Sequence, residues 1–254
     1  MFYVGADACK AGWFAVGLGQ GSAWEVNLFP NINELWEQYK EARMILLDIP
    51  IGLPDEGHSN RSCDIEAREL VAKRHSSVFP IPCRAAVYAK EKAASGINKQ
   101  KIGRYLSAQS LAIIPKIKQV DQLLSENRSA RSRIREVHPE VCFWALNHGK
   151  PMQYSKTKER RQAFLERKQV LISVYPHTQD IVDCALQKYW RYEVGKDDIV
   201  DALVAAVTAW KGRQKLISIP KVPEFDSYGL PMQMVCWSPR QETAVLRAAC
   251  SPAM

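Results

Sequence analysis

The sequence predicts an α/β fold: a mixed five-stranded sheet flanked by helices, with a long helical insertion after the fourth strand. Three observations predict it. Short apolar runs open the chain at hairpin spacing, a continuous apolar run follows the first helical period, and a strongly periodic helix occupies residues 196–212.

Residues 3–8 (YVGADA), 12–19 (GWFAVGLG) and 23–29 (AWEVNLF) are separated by glycine-bearing turns, which is the pattern of an antiparallel meander. Pro30 and Asn31 stop the third run, and apolar residues at 32, 35, 36 and 39 then follow a helical period. Residues 44–49 (MILLDI) are too short for a helix and read as a fourth strand buried on both faces, able to lie parallel to the first. Residues 54–132 are polar, charged and broken by prolines at 80, 82 and 115, with helices expected over 61–74 and 101–126. They form an insertion over the sheet within a single domain spanning 1–254, because their apolar content is thin for an independent core.

Residues 133–139 (RIREVHP) read as a fifth strand, and 140–149 as a short helix closed by Gly149. Helices follow over 156–173, 177–191 and 196–212, then a late strand at 232–237 (MQMVCW) and a loose tail over 239–254.

With 46% hydrophobic and 24% charged residues, the composition is that of a globular chain rather than a disordered one. No apolar run approaches the roughly 18 to 20 residues that span a bilayer, and the first residues lack the basic start and apolar core of a secretory signal, so the expected location is the cytoplasm. Seven scattered cysteines with no CxxC pair argue against structural zinc. Cys9 and Cys83 are conceivable nucleophiles without an identifiable base. A net charge of +8 favours a polyanionic partner such as nucleic acid, whether DNA or RNA; a homodimer is compatible with the sequence, and no membrane partner is expected.

The chemistry rests on aspartates. Asp7 ends the first strand and Asp48 the fourth, so parallel pairing brings both carboxylates to one edge of the sheet. Asp198 and Asp201 share a face of the 196–212 helix, although Asp197 also serves at i,i+4 to Asp201. A first-turn acid such as Asp198 has a simple reading as a favourable partner of the helix dipole. Asp201 lies among apolar positions and is harder to explain that way. Hard cations such as Mg²⁺ or Mn²⁺ take several oxygen ligands, and two of them roughly 4 Å apart activate a water and stabilise a leaving oxygen.

The segments GADACKAGW, LLDIPIGLP and KDDIVDALVAA together resemble the RNase H-like superfamily, and the last is similar to the DxxDA helix of RuvC-like resolvases. More closely, with CDIEAR, SSVFPIPCR and EVHPEVCFWALN added, the chain resembles a bacterial family of uncharacterised predicted nucleases with an RNase H-like fold. The resemblance covers nearly the whole chain. It implies an RNase H-like sheet and a metal-dependent nuclease, with Asp7, Asp48 and Asp201 as ligands and Asp198 as a ligand or general base. It also implies that the insertion caps the acidic site and offers Arg61, Arg68, Arg74 and Arg84 to a phosphate. Asp64 and Arg68 alternatively form a surface pair at i,i+4.

Glu136, His138 and Glu140 stand where the fifth strand passes into its helix. Pro139 at N1 and Glu140 in the first turn fit an ordinary helix start. In the functional alternative Glu136 or Glu140 is a further metal ligand and His138 a proton shuttle. Four arginines in 128–135 and the run 156–168, which opens at Lys156, are either solvated faces or a track for a phosphate backbone.

Two other functions compete with the nuclease. One is a non-catalytic binding module on the same fold. The other is a phosphoryl-transfer enzyme of the ATPase and sugar-kinase type, which the absence of a glycine-rich phosphate loop disfavours.

Overall fold

The computed structural model describes residues 1–56 and 60–239. The expected tail over 239–254 lies, apart from Pro239, outside the described residues. Seven strands and ten α-helices are described: β1 (Tyr3–Cys9), β2 (Gly12–Leu18), β3 (Trp24–Phe29), α1 (Ile32–Tyr39), β4 (Met44–Asp48), α2 (Ser62–Val71), which a 3-10 helix (Ala72–Ser77) continues, α3 (Arg84–Val87), α4 (Glu91–Ile102) and α5 (Ala108–Glu126) in the first half. They continue as α6 (Arg128–Arg133), β5 (Ile134–Glu136), α7 (Pro139–Leu146), α8 (Arg160–Val174), α9 (Thr178–Lys188), α10 (Lys196–Lys211), β6 (Ile217–Phe225) and β7 (Pro231–Cys236).

Five strands form a mixed sheet in the order β3-β2-β1-β4-β5. The three opening strands are the antiparallel meander, while β1–β4 and β4–β5 are parallel. Because side chains alternate along a strand, each face has its own core. Val4, Ala6, Ile45 and Leu47 join α1 and α5 on one side, whereas Phe14, Val16 and Leu46 join α7 to α10 on the other. Helix α10 lies directly on β1. A Cβ on Gly5 would come within 2.0 Å of the Ala206 nitrogen and 2.3 Å of the Ala202 oxygen, so only glycine allows this approach.

The insertion differs from the sequence-based expectation in two places. The helix expected over 101–126 is broken, because α4 ends in Gly103 at φ +84° and α5 starts afresh with Ser107 accepting from the Ser110 N–H at 3.0 Å. The polar stretch of α4 has too weak an apolar stripe to be read as a helix from sequence. Most of the buried apolar residues of the insertion join the two main cores, and Cys83, Ala86 and Ile102 make a small cluster of their own.

The late strand is β7, but it does not extend the main sheet. It pairs antiparallel with β6, whose alternating prolines and charges had hidden it, in a separate two-stranded sheet. No helix among the described residues is long and apolar enough to cross a membrane.

Candidate metal centre

Register and alternation place the first two acids. Asp7 and Asp48 are aligned partners across the parallel β1–β4 pair. Asp7 shares the parity of Gly5, and Asp48 that of Leu46, so both point to the face on which α10 packs. Asp201 sits one turn into α10, which presses on the same strands. Oxygens from Asp7, Asp48 and Asp201 all lie within 4.8 Å of one another.

Three carboxylates held this closely repel one another and have lost much of their hydration. Burial, followed by the charges of Asp48, Asp201 and Asp198, holds Asp7 well above the ordinary carboxylate range. Burial and then the Asp201 charge do the same to Asp48. Burial pushes Asp201 up to about 6, although the Lys156 ammonium pulls the other way. Among the described residues no hydrogen-bond donor reaches the carboxylates of Asp7 or Asp48, and Asp201 Oδ1 is buried without a partner. Buried polar atoms without partners are uncommon in folded proteins.

Hard oxygen donors that lack protein partners fit a divalent cation. Ligand oxygens about 2.1 to 2.4 Å from one ion stand roughly 3 to 5 Å apart, the spacing of this trio.

Asp198 has a different place. Its Oδ2 accepts from the Gly195 N–H at 2.8 Å, closing the N-terminus of α10, and it stands outside the trio while adding to the field on Asp7 and Asp48. Burial raises its own pKa.

A cavity of about 200 Å³ opens beside the trio, lined by Asp7, Asp48, Glu136, His138, Glu140 and Lys156. Lys156 donates to Asp201 Oδ2 and stands 3.8 Å from Glu140. Burial lowers its pKa, but the Asp201 and Glu140 charges outweigh that and keep it raised. Glu140 Oε1 accepts from the buried Arg167, and Glu140 Oε2 is buried without a partner. His138 Nε2 lies 3.3 Å from the Ser77 carbonyl, which can only accept, so Nε2 carries the proton and Nδ1 is a bare, buried lone pair. Burial lowers the His138 pKa, so the ring is neutral near pH 7.

Glu136 reaches the same cavity, and its charge adds to the field on Asp48, but its own carboxylate is engaged. It is aligned with Leu47 of the opposite core, and its carboxylate accepts from the Ile51 N–H at 2.6 Å and from Arg61 at 2.7 Å through both oxygens. Burial pushes it up to about 7 against the pull of Arg61.

The four arginines of the insertion divide. Arg61 is fully buried and every N–H has an acceptor, on Asp64, Glu136 or the Ile51 carbonyl, which leaves none for a phosphate. Asp64 pairs with Arg61 at i,i+3, and the i,i+4 pair with Arg68 is not made. Arg84 is held by Asp121 and Asp226 and lies 3.8 Å over the Tyr228 ring. Arg68 donates Nε to the Val78 carbonyl at 2.7 Å, and neither it nor Arg74 forms an ion pair among the described residues.

Arg167 is the participant that sequence reasoning missed, because it sat in a basic run taken for a solvated face or a phosphate track. The legible signal was its place on the stripe Ala163, Phe164, Arg167 and Leu171, all buried on α8.

The family model described as protein of unknown function (DUF429) matches residues 5–224. No curated protein and no solved structure matches the chain.

Proposed function

The chain belongs to the DUF429 family, and we propose that it is a phosphodiesterase acting on nucleic acid through a divalent metal, Mg²⁺ or Mn²⁺, on an RNase H-like sheet. The observation that carries the proposal is the trio of Asp7, Asp48 and Asp201, three carboxylates that converge with raised pKa values and too few protein donors. Those three residues would hold the ion, with the orphan oxygen of Glu140 nearby on the cavity wall. Bound there, a divalent ion supplies a water of lowered pKa and polarises a phosphoryl oxygen.

The remaining groups have roles of their own. Arg167 fixes the orientation of the Glu140 carboxylate. The Lys156 ammonium places a positive charge beside the acids, where a phosphate's non-bridging oxygen gains from it. Neutral His138 offers Nδ1 as a proton acceptor on the cavity wall. Asp198 keeps the helix end closed and deepens the negative field.

A thermal-shift titration with Mn²⁺ and Mg²⁺ tests the ion, since a ligand that binds only the folded state raises its stability. A shift in the wild type that Asp48→Asn abolishes supports the proposal, together with metal-dependent cleavage lost in Asp7→Asn. Full cleavage by both Asp7→Asn and Asp201→Asn would falsify it. The contact of Lys156 with Asp201 favours a second reading, a binding module whose acids are neutralised from within. Nucleic-acid binding indifferent to EDTA, without cleavage in any metal, selects that reading.

A further inference from the structure

Two exposed aromatic rings stand in the turn before α10, which is tied to the β1–β2 hairpin that follows Asp7. Trp190 and Tyr192 are 70% and 65% exposed, and their rings stack in near-parallel planes 14° apart with centroids at 6.4 Å. The other aromatic pairs of the described residues are T-shaped. Large rings held together in water form an apolar plate, which is where proteins carry binding energy for flat partners.

The plate is built into a turn rather than left loose. It lies between α9 and α10, and Glu193 Oε2 accepts from the Trp190 N–H at 3.0 Å. The Glu193 carbonyl accepts from the Ala11 N–H at 3.3 Å, tying this turn to the β1–β2 hairpin. Asp7 lies on β1 just before that hairpin, and Gly195 just after the plate begins the helix that carries Asp201. Lys10 on the hairpin and Arg191 between the two rings are exposed and make no ion pair among the described residues. The neighbouring cations are engaged: Lys188 donates to the Val26 carbonyl, and Lys196 lies over the Phe164 ring.

We propose that this plate stacks unpaired bases of single-stranded nucleic acid, with Lys10 and Arg191 on the adjoining phosphates. The proposal rests on the reading of the acidic site as a phosphodiesterase and names its substrate class. A protein ring reaches the face of a base only where that face is open, and in a duplex neighbouring bases cover it. Stacking of this kind tolerates any base, because every base has a π-face. The two free cations beside the rings and the net charge of +8 complement the phosphate backbone.

The test is fluorescence anisotropy in EDTA, with a labelled oligothymidylate and a blunt duplex of equal length. It compares wild type, Trp190→Ala/Tyr192→Ala, Trp190→Phe/Tyr192→Phe and Asp48→Asn. The double alanine variant is expected to bind the single strand about tenfold to a hundredfold more weakly, with its duplex binding and melting midpoint unchanged. The phenylalanine pair is expected to retain most of the affinity. Unchanged single-strand binding in the alanine variant, an equal loss on the duplex, or no single-strand binding by the wild type overturns the proposal. Asp48→Asn separates the two readings, because it loses cleavage in Mn²⁺ while still binding the single strand in EDTA. Ring-dependent binding with no cleavage in any metal sinks the phosphodiesterase and leaves the plate standing.

Discussion

Two groups of carboxylates border one cavity at the end of strand β4, and they differ in what answers their charge. On the insertion side Glu136 and Asp64 share Arg61, whose planar fork matches them with bidentate geometry and leaves no donor over. On the α10 side Asp7, Asp48 and Asp201 share one partly exposed ammonium, that of Lys156, which reaches only Asp201 and approaches Glu140. Acid density alone therefore does not mark a site. The informative quantity is the number of buried oxygens left without donors, because desolvating a charge is costly unless something compensates it. The first cluster holds the insertion against the sheet, and the second is poised to take a cation from outside.

That contrast can be broken by experiment. The largest effect is expected from Arg61→Met, which strands two buried carboxylates and costs roughly 3 to 5 kcal/mol by urea denaturation. A loss below about 1 kcal/mol would place this arginine among weak surface pairs and undo the distinction.

The pH dependence comes next. A carboxyl whose folded pKa is raised binds a proton more readily when folded, so its contribution is most favourable below its unfolded pKa. That contribution is lost as pH rises through the folded value. Asp201, raised from 3.8 to about 6, alone accounts for a loss on the order of 2 kcal/mol between pH 4 and 7 in metal-free protein. Asp7 and Asp48 move in the same direction. Melting curves in EDTA should show this decline, and saturating Mn²⁺ should flatten it; a metal-free protein that instead gains stability over this range contradicts the account.

Lys156→Met removes the internal cation that competes for Asp201. Calorimetric titration should show Mn²⁺ bound about tenfold more tightly, a change of about 1.4 kcal/mol, while weaker binding would make the ammonium an organiser of the site rather than a competitor. The smallest effect is expected from Asp48→Asn in EDTA, which relieves like-charge repulsion and should stabilise the protein by on the order of 1 kcal/mol at pH 8. Destabilisation there would mean that Asp48 has a donor in solution.

Much of this architecture was readable along the chain. Strand period, glycine turns and the helical stripes located β1 to β5, α1, α7 and α10 to within a few residues. Asp48 does end β4, whereas β1 runs past Asp7 to Cys9; the alignment of the two acids followed from the same pattern. The destinations of the arginines were not readable. Arg61 meets Glu136 across 75 residues and Arg84 meets Asp226 across 142, distances over which no local periodicity carries information. Arg167 was visible only as one cation in a basic run, and its position on a buried stripe decided its fate.

By itself, then, the sequence determined an α/β chain with acids at the ends of two strands and along one helix, because alternation and helical period are local properties. Tertiary structure decided which acids meet. Asp48 and Glu136 stand close to the ends of neighbouring strands, but register turns one toward α10 and the other toward Arg61. Since side chains alternate with a period of two, a shift of one residue sends a carboxylate to the opposite face, and only the packed sheet sets that register.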